Sequence, residues 1–496
     1  MSIEIDVKTV KVGFWHLPKT FYALLFIEFW ERFAFYGLQS VAVIYFVQKF
    51  HFTESHSGDL FSSFSALLYA LMILGGYVGD RILGLRLSYL LGILFFIVGY
   101  SLISLANSEN LLYSAMGLIL VGNVFFKTNA TNYVSRCFEA NDPRLDSAYT
   151  YFYMSINTGS FFSILLVPVI SKIFGYNIGL SLCAVGMVCA LGFYFLFKER
   201  FALLDNQIGK NKQNKLPVMV VLTLLGCLLG YVAGLVLSNV ELSKDILFIG
   251  GFIFVVVYLI MAFRLPRYEL KGMLLAFILL LQSIVFLILY MQTSTSFVLF
   301  AYHNINLSFL GYNVPAGVTQ VFNPICIMIL SPVLANLYLS FHKQGCDIGI
   351  PYKFLVGIFS TGICFILLAI AANFFADSNS QISFGWLFVA YIFYSLGEML
   401  VAALGPSMVA KLLPKRFGGV AQGFWFLFVA IGLKLGGVIA SKTASEYNVI
   451  NPAESLKVYM HLFYSLGIIV VIISIVFYFI TKPLVRVMNE VMEHRS

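Results

Sequence analysis

Charge is scarce in this chain. Asp, Glu, Lys and Arg make up 11% of its 496 residues, against about a quarter in an ordinary soluble domain. That scarcity excludes a water-dissolved fold, and apolar residues reach 60% instead. Metal-ligand spacing is also missing. The seven cysteines (Cys137, Cys183, Cys189, Cys227, Cys326, Cys346 and Cys364) are scattered, mostly within apolar runs, and no C-x-x-C pair occurs. They read as small core residues. The histidines stand at ends and loops; His51 and His56 are five apart beyond the first apolar run and read as solvated. No nucleophile–base pair, phosphate loop or ligand cluster supports a membrane-embedded transferase, so an enzyme is not expected. Runs of about ten alternating residues are lacking too, which excludes a β-barrel.

What is there is apolar length. Fourteen runs are candidate spans: 21–49, 58–80, 87–106, 111–136, 146–174, 177–198, 217–240, 245–264, 272–302, 315–341, 352–375, 383–411, 417–441 and 457–481. Most exceed the roughly 20 residues that a helix needs to cross a ~30 Å hydrocarbon core. The first run, Phe21 to Phe50, is too long for the apolar region of a signal peptide and reads as a retained span. The class is therefore an all-α integral membrane protein with 14 transmembrane helices. With a cytoplasmic N-terminus, 23 Lys and Arg fall on the cytoplasmic side and 5 on the other. That asymmetry puts both termini in the cytoplasm. It also accounts for the net charge of +8 without nucleic acid; the expected surroundings are a lipid bilayer.

The polar break Asp205–Lys215 is the clearest linker. It gives six spans (1–200), a linker with two further spans (201–270), and six more (271–496). Gly75–Arg86 (GGYVGDRILGLR) joins spans two and three. It resembles the G-x-x-x-D-R-x-x-G-x-R loop of the major facilitator superfamily. Asp80 and Arg81 would pair across the helix end as a gating and scaffold element. A weaker counterpart lies around Pro332–Lys343, as expected of two repeated halves. This resemblance implies the major facilitator fold: two six-helix bundles plus two inserted helices.

Six charges remain deep in the spans: Glu28, Glu31, Arg32, Lys127, Glu398 and Lys434. Each costs roughly 2.5–3.5 kcal/mol at a helix centre, so they are expected to face a polar cavity and largely to pair. Glu28, Glu31 and Arg32 share one face of span one, and Phe35 and Tyr36 continue that face. Counting about 1.5 Å per residue, Arg32 and Lys127 lie at similar depth and are expected to meet. A static ion-pair lock is the plainer account of the same four groups. Tyr69, the Tyr153/Asn157 pair and Trp425 stand at spacings that suit a cavity wall. Asn323 precedes Pro324 and fits either a cavity or a kink in which its amide satisfies a freed carbonyl. Lys434 reads as a base that snorkels toward the outer face.

These residues carry a family resemblance. Glu28–Gly37 (EFWERFAFYG) resembles the E-x-x-E-R-F-x-Y-Y-G signature of the proton-dependent oligopeptide transporter family, and Phe152–Ser160 (FYMSINTGS) its F-Y-x-x-I-N-x-G-S signature. Phe126-Lys127-Thr128-Asn129 is similar to its F-K-P-N element and Gly397-Glu398-Met399-Leu400 to its G-E-L element. Tyr290–Ile305 (YMQTSTSFVLFAYHNI) looks most like the dipeptide and tripeptide permease branch, and the inserted spans look like those of bacterial members.

The resemblance implies a proton-coupled symporter that imports dipeptides and tripeptides by alternating access, in a bacterial inner membrane and as a monomer. The proton is its coupling ion, and no cofactor is implied. Arg32 and Lys127 would hold the peptide carboxylate. Glu398, assisted by Asn157 and Asn323, would hold the amine, and Tyr36, Tyr69 and Trp425 would form adaptable walls. Glu28 and Glu31 would act with Arg32 as the proton-coupling set. Departures from the pattern are Phe35 in place of a tyrosine, Thr128 in place of a proline, and no acid in span nine, where Gln292 is the nearest candidate for a peptide amide. The alternative cargo is another small zwitterion, a nitrate-like anion or a drug; the acid–base set favours a zwitterion, since nitrate needs no anionic partner.

Overall fold

In the computed structural model the described residues are 17–72, 75, 82, 84–138, 145–205, 216–309, 311–344, 348–414, 417–445 and 451–493. Asp80, Arg81 and Cys346, with most of the Asp205–Lys215 linker, lie outside them. In chain order the helices are α1 (Lys19–Phe50), α2 (Glu54–Ala70), α3 (Leu85–Leu105), α4 (Glu109–Arg136), α5 (Leu145–Phe174), α6 (Tyr176–Leu196) and the short α7 (Lys198–Asp205). The inserted pair is α8 (Leu216–Ser238) and α9 (Val240–Phe263). There follow α10 (Arg267–Ser294), α11 (Ser296–Asn304), α12 (Phe322–Lys343), α13 (Ile350–Phe374), α14 (Phe384–Val401), α15 (Gly405–Leu412), α16 (Gly418–Ser445) and α17 (Pro452–Glu493). The only strands among the described residues are two-residue pieces in the loops before α12 and α14.

By length and composition, 12 helical runs could cross a membrane. α1 is long enough as well, at 32 residues, but its charged triplet lowers its hydropathy, and α2 covers the first part of expected span two. Each of the fourteen expected spans is thus met by helix. Two of them are broken. Expected span nine divides into α10 and α11 at Thr295, and expected span twelve into α14 and α15 at residues 402–404. In lipid, a helix break survives only where other groups satisfy the freed backbone.

The chain forms two compact units, one of Met1–Leu38 with Leu71–Leu235 and one of Gln39–Ala70 with Val236–Ser496. In the first, α3 packs on α4 and α6, and α8 closes an apolar cluster of Leu91, Phe95, Val121, Phe125 and Leu222. In the second, α16 packs on α2 and α10, while α13 packs on α14 and α17. Large apolar side chains such as Leu228, Phe252 and Phe479 stay exposed on α8, α9 and α17. In a bilayer, lipid rather than water would cover them.

Candidate transport site

The first charged centre is built by α1 and α4. One helical turn separates Glu28 from Arg32, so these two and Glu31 share a face of α1, and Lys127 reaches them from α4. Arg32 forks onto its neighbour: Nε donates to Glu31 Oε2 and Nη2 to Oε1, both at 2.6 Å. Lys127 Nζ donates to Glu28 Oε1 and lies 3.7 Å from Glu31 Oε2. Arg32 Nε is 3.8 Å from Glu28 Oε1. Two acids and two bases neutralise one another in a buried cluster. The expected meeting of Arg32 with Lys127 at one depth is therefore observed.

The cluster is not fully saturated. Glu28 Oε2 is buried and accepts no hydrogen bond, whereas both Glu31 oxygens are held by Arg32. The guanidinium also sits over the rings of Phe35 (5.0 Å) and Tyr36 (5.8 Å). Phe35 lacks the hydroxyl of the family tyrosine but keeps the ring face that attracts a cation. α5 reaches the same place through Gly159. A Cβ there would stand 2.4 Å from Phe29 O and 3.3 Å from Arg32 Cβ, so only glycine allows this approach. Asn157, two residues earlier, donates to Tyr153 O at 2.9 Å in its own helix.

The second centre is Glu398, in the last turn of α14. Asn323 Nδ2 donates to Glu398 Oε2 at 2.6 Å, while Asn323 Oδ1 is a buried acceptor with no hydrogen-bond partner. Among the described residues no cation pairs with this carboxylate. Pro324 falls in the first turn of α12, where a proline removes no intrahelical hydrogen bond, and the Asn323 amide donates to Glu398 rather than to a freed carbonyl, so the kink account of Asn323 does not hold. Glu398 also sits at the helix break: its carbonyl accepts from Ala402 N at 2.9 Å and Ala403 N at 3.2 Å. Beyond the break, the Trp425 ring lies against Gly405, within 2.1 Å of where a Cβ would be. Tyr69 is half-buried and tilts against Phe426, ring centroids 6.3 Å apart.

Gln292 lies elsewhere. It is fully buried; Nε2 donates to Gly436 O at 2.8 Å and to Ile288 O at 3.3 Å, and Oε1 accepts from Ser296 Oγ at 2.6 Å. In this conformation its amide ties α10 to α16 at the Thr295 break. Lys434 corrects the snorkelling expectation. It is completely buried and paired with Asp59 of α2. Sequence reading missed Asp59 because it stands near the start of its span. A lysine in mid-helix with no acid on its own face was the available signal. Among the described residues no cluster of His, Cys, Asp or Glu could hold a metal.

Comparison with known proteins places this geometry. The POT family model matches residues 88–460. The chain is 38% identical over 488 residues to dipeptide and tripeptide permease B of Xenorhabdus bovienii (strain SS-2004), covering 97% of this chain and 99% of the relative. It is 36% identical over 487 residues to the permease of the same name from Salmonella typhimurium, covering 97% and 98%. A solved bacterial homologue of the human drug peptide transporters PepT1 and PepT2 superposes with TM-score 0.81 at 33% identity, over 95% of this chain and 99% of that one. The tetrameric crystal structure of PepTSo2 gives TM-score 0.82 at 32% identity, over 94% and 98%.

Proposed function

We propose, since this chain belongs to the POT family, that it is a proton-coupled symporter importing dipeptides and tripeptides. The observation that carries the reading is Glu398: an intramembrane carboxylate with no cationic partner among the described residues, beside the open acceptor Asn323 Oδ1. An unneutralised acid in the membrane calls for a cation from outside the protein. A peptide ammonium supplies one charge and three donors, enough for both groups. Arg32 and Lys127 then serve the other end of the zwitterion, since a guanidinium fork suits a carboxylate. Nitrate would leave Glu398 unanswered. Tyr36, Tyr69 and Trp425 serve as wall residues.

The proton step follows from the unequal glutamates. A proton on Glu28 Oε2 breaks no existing bond and cancels the acid that holds Lys127. Lys127 then turns to the peptide carboxylate, which Arg32 shares through the guanidinium edge that Glu31 does not occupy. Deprotonation on the less acidic side restores the Glu28–Lys127 pair and expels the peptide. A proton moving inward down 100 mV supplies about 2.3 kcal/mol. The charge asymmetry of the loops supports an inner-membrane location with cytoplasmic termini.

The test is uptake of labelled dialanine into proteoliposomes under an acid-outside, negative-inside gradient. Concentrative uptake that a protonophore collapses is the expected outcome. Uptake indifferent to the gradient would sink the coupling assignment, and absence of uptake by folded protein would sink the peptide cargo.

A further inference from the structure

One buried charge pair has no part in peptide or proton binding as proposed above. Lys434 of α16 is 0% exposed; Nζ donates to Asp59 Oδ1 of α2, and to Ser63 Oγ at 2.7 Å. Ser243 of the inserted helix α9 bonds Ser63 Oγ at 3.0 Å, so three helices share one polar knot. The charged groups of α9 that act on Lys434 are Glu241 and Lys244, themselves paired at 3.0 Å. The seam around the knot is tight: a Cβ on Gly437 would stand 1.9 Å from Ser62 Oγ.

Such a pair is a poor choice for permanent adhesion. Replacing a buried ion pair with well-packed apolar residues is often neutral or stabilising, whereas removing one partner strands a charge. A charge pair is a good choice for a seam that must open. In a dry seam the attraction is strong. Once water enters, both ions are solvated and the attraction falls to that of an exposed pair. An apolar seam instead resists opening, because each Å² exposed to water costs about 25 cal/mol. This seam has reason to open. Gln39–Ala70 belongs by sequence to the first six-span half, yet it packs in one unit with Val236–Ser496. Alternating access by movement of one repeat against the other would require that segment to leave its present partners.

We propose that Asp59 and Lys434 form a releasable lock between α2 and α16 that opens once per transport cycle, with Ser63 and Ser243 linking the inserted helix α9 to it. The proposal rests on the transporter reading and assigns these groups as positioning residues, in contact with neither peptide nor coupling proton. The test compares wild type with the paired apolar variant Asp59→Leu/Lys434→Met in proteoliposomes. The expected result is an unchanged or raised Tm with a maximal dialanine uptake rate lowered about tenfold and KM nearly unchanged. A second readout needs no cargo. With native cysteines replaced by alanine and Ser62→Cys placed in the seam, a membrane-impermeant thiol reagent added outside reports opening; its labelling should slow by a similar factor in the apolar variant. Wild-type labelling and uptake rates in a folded apolar variant would overturn the lock. Slowed labelling alongside absent dialanine uptake in wild type would uphold the lock and count against the cargo alone.

Discussion

The two charged centres of this transporter differ in how complete they are. The α1–α4 cluster contains its own counter-ions: Glu28, Glu31, Arg32 and Lys127 cancel to zero within ion-pairing distance. The Glu398 centre is a single acid with an amide donor and one open acceptor. A self-neutralised cluster can change state only by exchanging partners, so a proton or a carboxylate must compete for bonds already made. A lone acid has nothing to give up and waits for a cation. Protein-supplied balance suits the coupling step, and protein-supplied imbalance suits recognition.

Mutations should separate the two. Arg32→Ala is expected to do most damage, because it leaves two buried acids facing one base. Loss of about 3–5 kcal/mol of stability and of all uptake should be visible together in a melting curve and a transport assay. Glu398→Gln should divide those readouts. Uptake falls by about 30- to 150-fold, as expected for losing a charged hydrogen bond of roughly 2–3 kcal/mol, while Tm holds or rises because no protein cation loses a partner. A matching drop in Tm would show that Glu398 is neutralised from within the protein. Glu28→Gln is subtler. Gradient-driven accumulation should vanish and the dependence on outside acidity should flatten, yet exchange of labelled for unlabelled peptide across the bilayer should persist within a few-fold. If exchange is lost as completely as accumulation, Glu28 binds rather than couples.

Much of this was legible from residue types and spacing. The i, i+3, i+4 acids and base of α1 gave one face, and counting residues to the membrane edge put Lys127 at the depth of Arg32. What escaped was the partnering between distant spans. Asp59 sits one turn inside α2, where an acid passes for a loop residue. Only the fold, by packing α2 on α16, shows that Lys434 has a partner and no path outward. Gln292 escaped for a related reason. Composition marks it as polar and intramembrane, but only the break at Thr295 shows that its amide is occupied by Gly436 and Ser296. Gly405-Pro406 was the sequence sign of the other break; glycine and proline within an apolar run mark where a helix can divide.

That second break gives Glu398 a double attachment. Its side chain faces the proposed ammonium, and its carbonyl closes the last turn before the chain starts α15. Whatever pulls on the carboxylate also loads the joint. α15 has 8 residues and is therefore about 12 Å long. A tilt of about 10° at the joint would carry its far end some ~2 Å by that same length. The residue would then behave as a strain gauge, turning occupancy of a pocket into displacement of a lever.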